Sequence, residues 1–360
     1  MKGKKQFSGL CGDCSPQQLQ ILSEFKAELI KMGITDPLYG DSYLLRFLRA
    51  RNFDLPKTLV MWRAFIQWRK DNNVEAVLNM EFPEINAAKQ YYSHGFFKTD
   101  KTGRPIYIER VGTLRLDKFE QLMTIERFKG YCMQKYERLT HIILPGCTEA
   151  QGKPVEQILF IMDFKDWSTK HLNQRTLDLV KLMSRIGTDY YPETLGTMFI
   201  VNVPLVFYGV WNVVKFFLDE QTRQKIKIFG SKYRKELLEY VDEDNLPDFL
   251  GGKCTTANYG EFMTKEEGPW IPNPAALLQV QKEAIEISSS SDGKLVIEDQ
   301  AEISSRNLQQ NSLEISPLRG AVPIKSDSEW EDFDVANESV LIESTREFKI
   351  QVNGGFSYQP

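Results

Sequence analysis

Thr197-Met198-Phe199-Ile200-Val201-Asn202-Val203-Pro204, then LVFYGVWNVVKFFL from Leu205 to Leu218, then a polar turn into Lys225-Ile226-Lys227-Ile228-Phe229-Gly230 is the stretch that decides the fold. Eleven of the fourteen residues in the middle run are apolar, and only Gly209, Asn212 and Lys215 interrupt it. A helix this apolar all round is buried on every side. At 1.5 Å per residue it is about 21 Å long, short of the roughly 20 residues that span a bilayer. It therefore covers something oily within the fold, or meets a membrane surface, or alternates between the two. The flanking runs, 197–203 and 225–229, read as strands buried on both faces, and Gln157–Asp163 is another such run.

Working outward, Arg104–Val111 follows the turn Lys101-Thr102-Gly103 and reads as a short strand, helical spacing covers Leu116–Leu144, and a helix runs from Leu172 to Ile186. Strands alternating with helices predict a mainly parallel sheet in an α/β domain. Upstream, Pro16–Met32 has helical spacing, Asp41-Ser42 caps a second helix over Tyr43–Phe53, and Leu55-Pro56 opens a third down to Asp71. The expected organisation is a flexible start over 1–15, a helical module over 16–80, the α/β domain over 85–272, and an acidic, Ser-rich, largely disordered tail over 281–360.

The net charge of −4 conceals an asymmetry: residues 281–360 carry seven Lys/Arg against fifteen Asp/Glu, leaving 38 against 34 for the first 280. A mildly basic body suits an anionic membrane surface and lacks the basic stripe that nucleic-acid binding needs. Five scattered cysteines argue against a disulfide framework. With no signal-peptide layout and no spanning run, a cytosolic protein is expected.

Catalytic signatures are missing: there is no G-x-S-x-G elbow, Walker loop or G-x-G-x-x-G fingerprint. His94, His141 and His171 have no metal-like spacing, so no metal or other cofactor is expected. Cys11-Gly12-Asp13-Cys14 reads as an exposed segment, with reversible acylation as the alternative. Asp163 and Glu193 flank buried strands, where open α/β sheets place their sites, although Asp163 fits a loop carboxylate equally well. Arg51 reads most simply as a solvated residue. Lys225, opening a buried strand, needs an anionic partner, and Thr222 can add a hydroxyl.

LRFLRARNFD over Leu45–Asp54, Trp68-Arg69-Lys70, KTDKTGRPIY over Lys98–Tyr107, Tyr190-Tyr191-Pro192-Glu193, Lys215–Asp219, Asn245-Leu246-Pro247 and Phe249-Leu250-Gly251-Gly252 together resemble the CRAL-TRIO lipid-transfer family. The similarity is to its phosphatidylinositol/phosphatidylcholine transfer proteins of the secretory pathway and spans 15–272 in unbroken order. The resemblance implies an N-terminal helical module beside a sheet that floors an apolar lipid pocket. It implies a helical gate matching Leu205–Leu218, with Leu205, Phe207, Trp211, Val214, Phe216, Phe217 and Leu218 as its apolar residues. A phosphatidylinositol headgroup would be held by Arg51, Glu193, Thr222 and Lys225.

A second lipid would lie against Phe96, Tyr107, Tyr136, Ile158 and Phe160. The family's phosphatidylcholine site has a tyrosine at the first position and hydroxyl residues at the last two. Burying a zwitterionic phosphate without those bonds would cost several kcal/mol, so a less polar second lipid, a sterol or isoprenoid, is expected. Asn52 stands where the family has Lys. The implied function is non-catalytic phosphatidylinositol transfer between membranes by a monomer visiting Golgi or endosomal membranes, in support of phosphoinositide signalling and vesicle trafficking. The alternative is a lipid-sensing adaptor that binds a sterol or other isoprenoid-like ligand and recruits a partner through the acidic tail, where Trp330-Glu331-Asp332-Phe333 resembles a short adaptor-binding peptide.

Overall fold

A five-stranded sheet in sequential order organises the protein: β1 (Ser93–Thr99), β2 (Pro105–Arg110), β3 (Ile158–Asp163), β4 (Leu195–Val201) and β5 (Ile226–Ile228). β1 pairs with β2 antiparallel and every other pairing is parallel. This computed structural model describes residues 7–36, 38–171, 173–214, 220–255 and 266–271, apart from the side chains of Val210, Asn212, Val213, Val214 and Gln221. The tail over 281–360 with its Trp330–Phe333 motif, and Phe216, Phe217 and Leu218 of the gate, lie outside the described residues.

The N-terminal helices are α1 (Pro16–Lys31), α2 (Asp41–Ala50), α3 (Leu55–Asp71) and α4 (Val74–Leu78). Ser15 and Gln18 form a capping box on α1, and Asp54 caps α3 by accepting from the Lys57 N–H. The N-cap of α2 is Gly40, not Asp41-Ser42: helical backbone already begins at Asp41. α2 also ends at Ala50, three residues early, because Asn52 and Phe53 turn left-handed, with φ of 50° and 59°. The Phe53 N–H then closes onto the Leu48 carbonyl at 2.7 Å. Leu22, Phe25, Leu44, Phe47, Trp62 and Phe65 form the core of these helices.

Short α5 (Ile85–Ala88) leads to β1, a strand the sequence reading missed. α6 (Leu116–Leu122) and α7 (Ile125–Arg138) are separated by Thr124, which caps α7 through the Arg127 N–H. Leu144-Pro145 does not end the helical run. A π-turn over Leu139–Ile143, closed by the Leu144 N–H on the Leu139 carbonyl, carries it into α8 (Leu144–Gln151). α9 (Gln174–Arg185) likewise passes into a π-turn, Ile186–Tyr190. α10 (Phe207–Val214) and α11 (Glu220–Gln224) lie on the crossover from β4 to β5, and α12 (Arg234–Tyr240) follows. No helix among the described residues is long and apolar enough to cross a membrane.

The two faces of the sheet are sealed differently. Ile106, Ile108, Leu159, Ile161, Phe199 and Val201 share one face and are 0% exposed beneath α12, which contributes Leu237. On the other face the register aligns Phe96, Tyr107, Phe160, Met198 and Ile226 in one row across all five strands. There Phe160, Met162, Met198, Ile226 and Ile228 are only half-buried. α10 starts over this face, where Phe207 is buried and Trp211 half-buried against Phe164, Ile200 and Val203.

Candidate functional site

Glu193 is held in a left-handed backbone conformation, φ 57°, immediately before β4. Such a conformation costs a non-glycine residue on the order of 1 kcal/mol or more and persists where the surroundings enforce it. Its Oε2 lies 3.1 Å from Lys225 Nζ, at the entry to β5, and 3.8 Å from Arg49 Nε on α2. Arg49, 7% exposed, also pairs through Nη1 with Glu156 Oε2 at 2.8 Å and donates to the Gly9 carbonyl at 3.0 Å. Its Nε and Nη2 are buried and meet no hydrogen-bond acceptor among the described residues. Arg49, Glu193 and Lys225 border a cavity of about 780 Å³ that Asn52, Gln157, Thr197, Gln224 and Lys227 also line.

Three cations (Arg49, Lys225, Lys227) and one carboxylate (Glu193) line this cavity, with Glu156 behind Arg49. A phosphate or polyhydroxyl group fits that set: the excess positive charge and the unmet Arg49 N–H groups take anionic oxygens, and the Glu193 carboxylate takes hydroxyls. The cavity opens at the amino ends of β3, β4 and β5, opposite to the carboxyl ends where doubly wound sheets place their sites. Asp163, at a carboxyl end, is structural. It accepts from the Lys165 N–H at 2.9 Å and the Asn202 amide at 2.7 Å, and Arg110 Nε lies 3.6 Å away.

Arg51 does not join Glu193 and Lys225. Its Nη1 donates to the Ala50 carbonyl at 2.9 Å, and its side chain lines a separate hollow of about 520 Å³ with Pro56, Val60, Met61, Asp189 and Tyr190. Two residues along a helix is about 200° of rotation, so Arg49 and Arg51 leave α2 on opposite sides, and the left-handed turn after Arg51 fixes that division. Arg49, and not Arg51, is the arginine that the structure brings beside Glu193 and Lys225. Its position in the LRFLRAR run was visible, but its partners Gly9 and Glu156 are far away in sequence. Thr222 sits on α11, its carbonyl accepting the Lys225 N–H at 3.1 Å, and is not among the lining residues.

The five residues named for a second lipid do come together. Phe96, Tyr107 and Ile158 are buried in one cluster, with Tyr136 and Phe160 packed against it. Phe96 and Tyr107 are 4.8 Å apart by ring centroids, Tyr107 and Phe160 5.3 Å, and Tyr136 stacks on Tyr191 at 4.8 Å. Leu205, expected to belong to a gate, precedes α10 and is 89% exposed. Residues 7–14, expected to be loose and exposed, fold over Arg49 instead. Cys11 donates its N–H to Glu156, and Cys11 and Cys14 are half-buried against the helical core.

Comparison with known proteins completes the assignment. The family model for the CRAL/TRIO domain matches residues 89–252, and that for the CRAL/TRIO N-terminal domain matches 18–64. A relative from Arabidopsis thaliana, phosphatidylinositol/phosphatidylcholine transfer protein SFH12, is 38% identical over 73% of this chain and 49% of its own length. Its paralogue SFH4 is 39% identical over 71% of this chain and 42% of its own. The chain thus spans about half the length of these first relatives. Sec14 cytosolic factor from Schizosaccharomyces pombe is 37% identical over 72% of this chain and 90% of its own. The solved structure of Sfh5 superposes with a TM-score of 0.57 at 18% identity, covering 78% of this chain and 100% of that one, a likeness of fold. With family models on its helical and α/β parts, and a relative matched along nearly its whole length, this chain belongs to the CRAL/TRIO family, N-terminal helical domain included.

Proposed function

We propose that the protein binds phosphatidylinositol and exchanges it between membranes without chemical conversion, the headgroup held by Arg49, Glu193 and Lys225. The observation that carries this reading is the Glu193–Lys225 pair beside Arg49, whose buried N–H groups lack acceptors. The printed names of the relatives, phosphatidylinositol/phosphatidylcholine transfer proteins, favour the same class of cargo. The half-buried sheet face of Phe160, Met162 and Met198 favours an acyl-chain floor, with the crossover from Leu205 onward acting as its lid.

The physical task sets the mechanism. At about 0.8 kcal/mol per CH₂, exposing two acyl chains to water costs on the order of 20 kcal/mol, so unaided transfer is slow. A pocket as apolar as the bilayer makes exchange nearly neutral and leaves lid opening as the main barrier. Arg49 and Lys225 then take the phosphate, and Glu193 supplies selectivity by accepting from inositol hydroxyls, donors that a choline headgroup lacks. The mildly basic first 280 residues favour brief docking on anionic membranes. We extend the reading to a monomer of the cytosol visiting Golgi or endosomal membranes and feeding phosphoinositide signalling and vesicle trafficking.

Lys225→Ala tests the assignment. Transfer of phosphatidylinositol between vesicles is expected to fall at least tenfold, the scale of a lost charge-assisted bond, while the melting temperature stays near that of the parent. Transfer at the parent rate by a folded variant overturns the site.

A further inference from the structure

The apolar wall that the sequence offers to a second lipid has a charged neighbour. Lys135, one residue before Tyr136 on α7, donates from Nζ to the Tyr107 hydroxyl at 2.8 Å. Its ammonium lies 4.5 Å from the Tyr107 ring centroid and 5.7 Å from that of Tyr136. An aromatic recess of this kind attracts one cation, and Lys135 is that cation. A quaternary ammonium brought to the same rings meets like charge at short range in a water-poor setting.

The surroundings add to the positive charge. Lys89, 8% exposed, feels Lys135 and Arg138 as like charges and Glu266 as its opposite, and burial above all holds its ammonium down at about 8. Arg138 is engaged by Glu266 through two bonds of 3.0 and 2.9 Å. Glu109, 4% exposed, accepts from Tyr92 and Tyr107, and burial raises its carboxyl above the ordinary range. Three cations thus face two carboxylates, one of them inclined to hold its proton.

His94 supplies an independent observation. It is 1% exposed, and its Nδ1 bonds the Tyr92 carbonyl at 2.9 Å, which places the proton there and leaves Nε2 as an acceptor. That Nε2 is buried and meets no partner among the described residues. A buried acceptor of this kind calls for a donor, and a choline headgroup carries none.

We propose that the lipid held against Tyr107 and Tyr136 has a net negative headgroup bearing a hydrogen-bond donor, of the phosphatidic acid or phosphatidylserine class, and that Lys135 sets this preference over phosphatidylcholine. The proposal rests on the lipid-transfer reading above and replaces the less polar second lipid expected from the lost strand hydroxyls. Phosphate oxygens accept from Lys135, and the P–OH or ammonium of the headgroup donates to His94.

The full chain is incubated with vesicles holding equal amounts of phosphatidic acid, phosphatidylserine, phosphatidylcholine, phosphatidylinositol and a sterol, then repurified, and its bound lipids are quantified by mass spectrometry. A parallel arm omits phosphatidylinositol. In both arms the acidic phospholipids are expected over phosphatidylcholine by about tenfold. Lys135→Gln is expected to bring the ratio near parity, and Lys135→Arg to preserve it. Phosphatidylcholine or sterol captured in preference by the parent protein, an unchanged ratio in Lys135→Gln, or displacement of the bound lipid by millimolar inorganic phosphate overturns the proposal. Capture of phosphatidylinositol alone defeats this inference and leaves the transfer reading standing; capture of no lipid defeats both. Parent selectivity is decisive even if Lys135→Gln fails to fold.

Discussion

Replacing Arg69 by Met isolates a buried carboxylate and gives a large, checkable effect. Arg69, at the end of α3, and Glu137, on α7, have side chains 7% and 1% exposed, and their Nη1 and Oε1 lie 2.6 Å apart. Tyr191 donates its hydroxyl to the same Oε1 at 2.6 Å, so this carboxylate ties the N-terminal helices to the chain around the sheet. Met keeps the packing on Phe65, whose ring centroid is 5.4 Å from the guanidinium, but leaves Glu137 with a single neutral partner. Breaking a buried pair from one side costs about 3–5 kcal/mol, mostly the penalty on the orphaned charge, and two charges 4 Å apart at an effective dielectric of 20 give about 4 kcal/mol. In urea titrations followed by tryptophan fluorescence, with Trp68 stacked 4.0 Å from Tyr190 as the local reporter, the midpoint is expected to fall by about 1 M or more. Adding Glu137→Gln removes the orphaned charge while keeping an acceptor for Tyr191, and is expected to restore at least half of the loss. His141, with Nε2 3.6 Å from Glu137 Oε2, supplies a second signature. In the parent, burial is the main cause lowering its pKa, with Arg46 and Arg69 adding to the effect against Glu137. Without Arg69 it takes up a proton more readily, so the variant's deficit is expected to shrink from pH 8 to pH 6. A single-variant loss under 1 kcal/mol, or a double variant no better than the single, would refute the reasoning.

Two further outcomes follow from local geometry. A Cβ on Gly187 would stand 2.5 Å from Tyr136 Oη, so Gly187→Ala is expected to cost about 1–3 kcal/mol in thermal melts, and Tyr136→Phe to recover most of it; an alanine variant as stable as the parent sinks the clash. Lys89, held at about 8 instead of its usual 10.5 chiefly by burial, carries its charge at a greater cost in the native state than in the unfolded one. Its contribution is complete above the unfolded value and is lost as pH falls through about 8. Lys89→Met is therefore expected to gain most over the parent at pH 7.5, with the advantage shrinking toward pH 10; a constant difference in melting temperature across that range contradicts this.

The central β–α–β unit was legible because its strands are continuous apolar runs and its crossover is too short for a membrane. β1 was not: Ser93, His94 and Gly95 open it, and its identity as a strand comes from pairing with β2, which no local pattern records. Glu193 and Lys225 were readable as ionisable residues abutting buried strands, where an unpaired charge is costly. The choice between Arg49 and Arg51 was not, because two left-handed residues, Asn52 and Phe53, decide which side of α2 each leaves. The charge beside the Phe96–Tyr107–Phe160 cluster was hidden for a related reason. The strand residues at 158 and 160 read as a loss of polarity, while the compensating cation comes from a different element, α7, brought over Tyr107 only by tertiary packing.

The short strap at Glu266–Ile271 has a consequence for how the protein behaves in a crowd. Glu267 bridges to Phe97, and its carbonyl accepts the Lys98 N–H along the outer side of β1. Trp270 packs so closely on α8 that Gly146 has no room for a Cβ, which would stand 2.7 Å from the Trp270 Cα. At the opposite border, β5 is three residues long and carries Lys227. One margin of the sheet is covered by the chain itself and the other is brief and charged, two devices that deny a foreign strand a template. The half-buried apolar face of Phe160, Met162 and Met198 can therefore stay oily while the backbone margins stay closed to another copy, and greasiness is kept apart from the ladder-pairing that would turn it into aggregation.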